Sequence, residues 1–458
     1  MVCEVKGGEW SVQDWSPDGK NLLLLEFISA NESHLWLARL DTGKKERLDP
    51  DGEPASRGKA CFSRDGRAVF LTSDEAGEFR QLGRMDLTDR KFHLLTHDIP
   101  WDVETFDLSP DGKTIAFVTN EDGSGRLRFV STTADPAPKA PDLPAAVITG
   151  LKWTEAGMEI GFGMTGARSA ADAFSYAPST GTITRWTESE AGGLDVSRFV
   201  EPETVRLKSF DGLEVSGLLY QPDAARFPGP RPVIVMVHGG PEGQSRPIFQ
   251  GRNNYYLNEM GVALLYPNVR GSTGYGKTFL ALDNGFKREE SPKDIAAFLD
   301  FIGTRPGLDP KRVAVMGGSY GGYMSLACMI RYADRLRCGC DIVGISNFQT
   351  FLTNTSDYRR DVRRVEYGDE RDPKMAEFLK RISPTAQADK ITKPLFIVQG
   401  LNDPRVPASE AEQMVKAVRA AGTPVWYLLA KDEGHGFKKK ANADYQFLSS
   451  VMFFRQHL

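Results

Sequence analysis

Gly317-Gly318-Ser319-Tyr320-Gly321 follows the apolar run Val313-Ala314-Val315-Met316 and precedes Tyr323-Met324-Ser325-Leu326-Ala327. A G-x-S-x-G serine placed where a buried strand turns into a helix has the pattern of a nucleophile elbow, in which a sharp turn lifts the hydroxyl clear of the chain. Side chains at Gly317 and Gly321 would collide with neighbouring backbone in such a turn, so glycine is expected at both. Acyl transfer through a serine also needs a base and an acid that orients it. After this kind of turn they follow in the order acid, then histidine. Only His435 and His457 follow Ser319. His457 is penultimate and reads as a solvated terminal side chain. His435 lies in Asp432-Glu433-Gly434-His435-Gly436-Phe437, a glycine-flanked loop after the strand-like Val425-Trp426-Tyr427-Leu428-Leu429, and is the candidate base. For the acid, Pro394-Leu395-Phe396-Ile397-Val398-Gln399-Gly400 reads as a buried parallel strand, with Asp403 in the loop at its carboxyl end. Asp432 is nearer to His435 in sequence but shares its loop. A separate strand end is the firmer platform, which makes Asp403 the candidate.

Val233-Ile234-Val235-Met236-Val237 is a further buried strand, and it runs into His238-Gly239-Gly240-Pro241. Glycines there let backbone N–H groups approach a substrate closely, as in an oxyanion loop. The N–H of Gly240 and that of Tyr320, the residue after the serine, are the two expected donors to a developing oxyanion. His238 precedes Ser319 and is expected to pack or hydrogen-bond within its own loop. No metal or organic cofactor is implied. The five cysteines, Cys3, Cys61, Cys328, Cys338 and Cys340, lack metal-ligand spacing and read as free buried thiols.

Taken with Asn268-Val269-Arg270-Gly271-Ser272-Thr273-Gly274-Tyr275-Gly276 and Asn402-Asp403-Pro404-Arg405-Val406-Pro407, these segments form five motifs in a fixed order. The chain resembles the prolyl oligopeptidase family of serine peptidases. The resemblance is close over the C-terminal half and architectural over the N-terminal half. His238-Gly239-Gly240-Pro241 and the tyrosine after the serine are more similar to the acylaminoacyl-peptidase branch than to the prolyl-endopeptidase branch. Gly285-Phe286-Lys287-Arg288-Glu289-Glu290 departs from the pattern, since relatives often carry a Trp-Gly-Gly segment there. The resemblance implies a pocket for the residue before the scissile bond, lined by Tyr323, Ile345, Phe348, Phe351 and Val406. An apolar and aromatic lining suits proline, alanine or a medium hydrophobic side chain. The implied activity is hydrolysis of short peptides through an acyl-enzyme, with a carboxylesterase of the same fold or a catalytically silent binding module as alternatives. Exopeptidase and endopeptidase action both stay open, and so does self-association.

The N-terminal half must then be explained separately. Ser16-Pro17-Asp18-Gly19-Lys20, Ser63-Arg64-Asp65-Gly66-Arg67, Ser109-Pro110-Asp111-Gly112-Lys113 and Thr154-Glu155-Ala156-Gly157 recur at offsets of 47, 46 and 45 residues, a propeller period. Asp-Gly supplies a tight hairpin between short strands, several of which end in an aromatic such as Trp15, Phe62 or Trp153. The acidic pairs Asp74-Glu75 and Glu121-Asp122 read as solvated surface. The resulting fold class is a multi-domain β plus α/β chain. An N-terminal β-propeller with about four blades visible, residues 1–195, precedes a C-terminal α/β-hydrolase domain, residues 196–458. Because relatives usually carry seven or eight blades, an incomplete propeller in a chain truncated at its start is expected, with an unusually small propeller of four blades as the alternative. A formal charge of −4 gives no basic footprint for nucleic acid, and no apolar run reaches the length of a membrane span. The expected partners are therefore short peptide substrates, with neither nucleic acid nor membrane. With no signal peptide visible, cytoplasm is the default location, and secretion stays open if the start is truncated.

Overall fold

The computed structural model describes residues 3–5, 8–49 and 52–458. Each repeated turn is built from its own short segment. Ser16 Oγ donates to Asp18 Oδ1 at 2.6 Å, and that oxygen accepts from the Lys20 N–H at 3.0 Å. Ser63 with Asp65 and Ser109 with Asp111 repeat the bond at 2.6 Å. Gly19, Gly66 and Gly112 then take φ of 68°, 71° and 73°, a left-handed conformation that a side chain would strain. These turns join the first two strands of successive antiparallel sheets. The first sheet holds β1 (Glu9–Trp15), β2 (Asn21–Ser29), β3 (Glu32–Arg39) and β4 (Lys45–Arg47), and the second β5 (Arg57–Phe62), β6 (Ala68–Ser73), β7 (Gln81–Asp86) and β8 (Phe92–Leu94). The third has β9 (Asp102–Leu108), β10 (Thr114–Glu121) and β11 (Ser124–Ser131), and the fourth β12 (Val147–Trp153), β13 (Ile160–Gly166), β14 (Ser169–Ala177) and β15 (Thr182–Arg185).

Adjacent sheets share apolar layers: Leu23, Leu35, Phe62 and Leu71 between the first two, Phe70, Val103, Phe106 and Phe117 between the next, and Val118, Ile148, Trp153 and Phe162 between the last. Acids one residue before a strand end tie neighbours together. Asp14 accepts from the Phe62 N–H at 2.9 Å, and Asp107 from the Trp153 N–H at 2.8 Å. The sheets are blades of a β-propeller that is not closed. Phe62 and Trp153 are buried as strand-end aromatics, whereas Trp15 is 56% exposed. The acidic pairs are not simply solvated. Asp74 accepts from the Ser56 N–H, Glu75 pairs with Arg57 at 2.6 Å, and Glu121 pairs with Arg128 at 2.6 Å. This unit runs to Arg198 and takes in two later returns of the chain, Arg246–Phe249 and Gly274–Phe279. Arg246 pairs with Glu104 at 2.6 Å, and the Tyr275 hydroxyl donates to Asp122 at 2.9 Å.

The second unit is built on one eight-stranded sheet: β16 (Glu203–Lys208), β17 (Glu214–Tyr220), β18 (Arg231–Val237), β19 (Ala263–Asn268), β20 (Leu308–Gly318), β21 (Cys338–Ile342), β22 (Leu395–Gly400) and β23 (Val425–Ala430), in the order β16-β17-β19-β18-β20-β21-β22-β23. β16 and β17 are antiparallel, and from β19 onward every pairing is parallel. The central strands read as continuous apolar runs because both faces are covered. Among the described residues the helices are α1 (Asn254–Asn258), α2 (Lys277–Leu280), α3 (Glu290–Thr304), α4 (Tyr320–Arg331), α5 (Phe348–Asn354), α6 (Asp357–Tyr367), α7 (Pro373–Ile382), α8 (Ala408–Ala420) and α9 (Lys440–His457). One face of the sheet packs Ile234, Leu264, Cys340 and Phe396 with Tyr256, Phe453 and Phe454. This is an α/β-hydrolase sheet.

Candidate active site

Parallel strands deliver their carboxyl ends to one edge of a sheet, and the three candidate residues lie beyond three of those ends. Ser319 follows β20, Asp403 lies just past β22, and His435 just past β23. Ser319 takes φ 59° and ψ −119°, a strained conformation for a residue with a side chain, and costs of order 1–3 kcal/mol that the surrounding structure must offset. Its N–H donates to the Ile342 carbonyl at 2.8 Å, while its side chain makes no capping bond to α4. The flanking glycines have no room for a side chain. A Cβ at Gly317 would meet the Gly321 carbonyl oxygen at 2.3 Å, and one at Gly321 would meet the Val237 carbonyl oxygen at 2.2 Å.

Asp403 is wholly enclosed, and one of its oxygens meets His435 Nδ1 at 2.6 Å. The other accepts from the N–H groups of Arg405 at 2.8 Å and Val406 at 3.0 Å. These bonds fix the carboxylate in one orientation and leave Nε2 as the imidazole nitrogen turned away from the acid. The alternative acid is engaged elsewhere: Asp432 is exposed, pairs with Lys439 at 2.5 Å and accepts from Asn442 at 3.0 Å. His457, expected to be solvated, instead packs its ring on Phe453 at 4.8 Å and Trp426 at 6.4 Å, and burial lowers its basicity. The last turn of α9 lies against Trp426 of β23, which the position of His457 in the chain did not reveal.

The oxyanion loop lies against the elbow. A Cβ at Gly239 would stand 2.9 Å from the Gly318 carbonyl oxygen and 3.3 Å from Ser319 Cβ. Gly240 has φ 136°, and no hydrogen bond engages its N–H among the described residues. Tyr320 opens α4, so its N–H has no intrahelical acceptor. His238 bonds the Gly239 carbonyl through Nδ1 and Ser272 Oγ through Nε2, both at 2.9 Å, and desolvation keeps its imidazole below the usual range.

Tyr323, Ile345, Phe348, Phe351 and Val406 are all buried. The structure gathers three of them, with Phe348 stacked edge-on against Tyr323 at 4.8 Å and Phe351 joined through Tyr367. Tyr367, absent from the sequence reading, sits at the centre, 5.3 Å from Phe348, 5.7 Å from Phe351 and 6.3 Å from Tyr320. Also missed is a buried set of charges. Arg288 pairs with Asp283 at 2.5 Å and with Glu366, and Glu242 pairs with Arg363 at 3.1 Å. Burial pushes the Asp283 and Glu366 carboxyls upward, while Glu242, despite burial, is held low by the Arg363 guanidinium. The departure from the family pattern at 285–290 was the available signal, because Arg288 lies in it.

Residues 247–458 match the sequence profile of the prolyl oligopeptidase family. The chain is 32% identical over 433 residues to dipeptidyl aminopeptidase BIII of Pseudoxanthomonas mexicana, covering 89% of this chain and 60% of that protein. It is 26% identical over 257 residues to the acylamino-acid-releasing enzyme of Homo sapiens, covering 54% of this chain and 34% of that one. The chain thus spans less than two thirds of the length of these relatives. The crystal structure of a puromycin hydrolase superposes with a TM-score of 0.85 at 21% identity, over 98% of this chain and 69% of that one. An acylaminoacyl peptidase complexed with a chloromethyl ketone gives 0.77 at 22%, over 98% and 70%. At these identities the superpositions speak for the fold.

Proposed function

Because residues 247–458 belong to the prolyl oligopeptidase family, we propose that this chain is a serine-type peptidase that cleaves short peptides through an acyl-enzyme. The observation that carries the reading is the 2.6 Å contact between Asp403 and His435, with Ser319 held on a strained turn at the same edge of the sheet. In this reading Ser319 Oγ attacks the scissile carbonyl carbon while His435 Nε2 accepts its proton. Asp403 fixes the imidazole through Nδ1 and stabilises the imidazolium. The N–H groups of Gly240 and Tyr320 donate to the oxyanion, fixed dipoles that need no reorganisation as charge develops. Protonated His435 then gives its proton to the leaving amine, and water attacks the acyl-serine with His435 again as base.

The aromatic cluster of Tyr323, Phe348 and Phe351, with Ile345 and Val406, would receive proline, alanine or a hydrophobic side chain before the cleaved bond. An unpaired carboxylate there would be costly to desolvate. The name of the relative aligned over most of the chain favours release of dipeptides from amino termini. The test is fluorophosphonate labelling of wild type and Ser319→Ala, followed by mass-spectrometric profiling of a peptide library. Labelling confined to Ser319 and cuts after proline, alanine or hydrophobic residues are expected. Efficient cleavage after Asp or Glu would overturn the pocket, and turnover of acyl esters without any peptide cleavage would reassign the chain to the esterases.

A further inference from the structure

Both residues proposed as oxyanion donors are gripped from behind by one buried network. The Tyr320 hydroxyl lies 2.6 Å from Ser291 Oγ and donates to Asp283 Oδ2 at 3.1 Å. Gly240 has no side chain to hold it, and its carbonyl accepts from Arg363 Nη1 at 3.3 Å and from the Tyr367 hydroxyl at 3.4 Å. Arg288 lies against both tyrosines of this network. Its guanidinium is 5.1 Å from the Tyr320 ring and 4.7 Å from the Tyr367 ring, while its edge binds Asp283, Glu366 and the Glu366 carbonyl at 2.9 Å. The side chain is fully enclosed.

We propose that Arg288 is a positioning residue for acyl transfer at Ser319, holding Tyr320 directly and Gly240 through Tyr367 so that both oxyanion donors stay aimed at one point. This rests on the peptidase reading given above. The guanidinium is suited to the task because, as a flat delocalised cation, it packs against two tyrosine rings while its fork engages two carboxylates, which an ammonium cannot do at once. Burying ions is seldom the best route to stability, since apolar residues of similar volume often do as well or better. A buried arginine packed on Tyr320 and on the Tyr367 that bonds Gly240 is better explained by orientation, because donors act only when held within about 0.5 Å of the productive geometry.

The test compares wild type with Arg288→Lys and Tyr367→Phe. Active sites are titrated with a fluorophosphonate, kcat and KM are measured on a cleaved peptide, and affinities are measured for a peptide aldehyde and for the product peptide. The expected result for each variant is a fall of about tenfold in kcat per titrated site with KM little changed, and a matching loss of aldehyde affinity but not of product affinity. A purely structural role would lower the fraction of active sites and leave kcat per site intact. Should Arg288→Lys fail to fold, Tyr367→Phe, which keeps the ring and loses only the hydroxyl bond to the Gly240 carbonyl, decides whether Gly240 is held through Tyr367. Folded variants with kcat per site within about twofold of wild type, or with aldehyde and product affinities moving together, overturn the positioning role alone. A wild type that neither reacts with the fluorophosphonate nor cleaves any peptide overturns the peptidase reading and this role with it.

Discussion

Two sets of carboxylates, one in each unit, do opposite work. In the propeller unit Asp18, Asp65 and Asp111 each receive a serine hydroxyl and a backbone N–H two residues away, which hold them below the usual carboxylate range. In the hydrolase unit Asp283, Glu366 and Asp341 are buried and pushed upward. The first arrangement is local and repeated, so the loss of one copy leaves the others intact. Asp283 and Glu366 come from distant segments and meet once, at Arg288, so neither has a substitute.

The largest expected effect lies in the unit with no spare parts. Ser319→Ala and His435→Ala should each lower kcat by roughly 10⁴-fold or more without shifting the unfolding midpoint, and the double variant should be no worse, since such residues act as a unit. Asp403→Asn should be somewhat less damaging. Near-native activity in Asp403→Ala together with its loss in Asp432→Ala would dissolve the assigned site.

Glycine substitutions compare the units on equal terms. Gly321→Ala places a Cβ 2.2 Å from the Val237 carbonyl oxygen, where only backbone could yield, and should cost about 3 kcal/mol or more in denaturant titrations. Gly19→Ala meets nothing within 4 Å, so it should cost only the left-handed penalty of about 1–2 kcal/mol. Equal losses would mean that the elbow is no more constrained than a hairpin turn.

The pH dependence of stability should carry opposite signs. Burial takes the Asp341 carboxyl up to about 7, so its folded form binds a proton that the unfolded chain releases near pH 4, and stability falls as pH rises through that window. Asp341→Asn should flatten the decline, by roughly 2 kcal/mol or more at pH 8. In the propeller unit burial opposes ionisation of Asp172, yet bonds from Ser169, Ser189 and Arg185 bring it down to about 2. Its contribution of about 2 kcal/mol is present above pH 4 and lost as pH falls toward 2. Asp172→Asn should remove that acid limb, and an unchanged limb would count against the assignment. The smallest effect should be Ser63→Ala, about 1 kcal/mol, because one of three like turns loses the hydroxyl's bond to Asp65 and the bond it accepts from the Ala68 N–H, both in a partly exposed turn that water can reach.

The sequence by itself determined whatever depends on neighbours in the chain. The Ser-x-Asp-Gly turns, the G-x-S-x-G elbow, the His-Gly-Gly-Pro loop and the apolar strands between them are each encoded within a few residues, so their types and order could be read directly. Asp403 and His435 were legible as candidates because each follows a recognisable strand. That Asp403 and not Asp432 meets the imidazole was decided by β22 and β23 lying side by side in register. Only the tertiary structure could bring Arg288 from before α3, Glu366 and Tyr367 from the end of α6, and Glu242 from the loop after β18 into one buried network. The same holds for Asp14 and Asp107, which bond the strand of the next blade 48 and 46 residues on. Such groups carry no local signal, because what fixes their roles is desolvation and the partners that long-range packing supplies. A charged residue in a loop or on a helix face looks alike in sequence whether it ends in water or buried against two tyrosine rings.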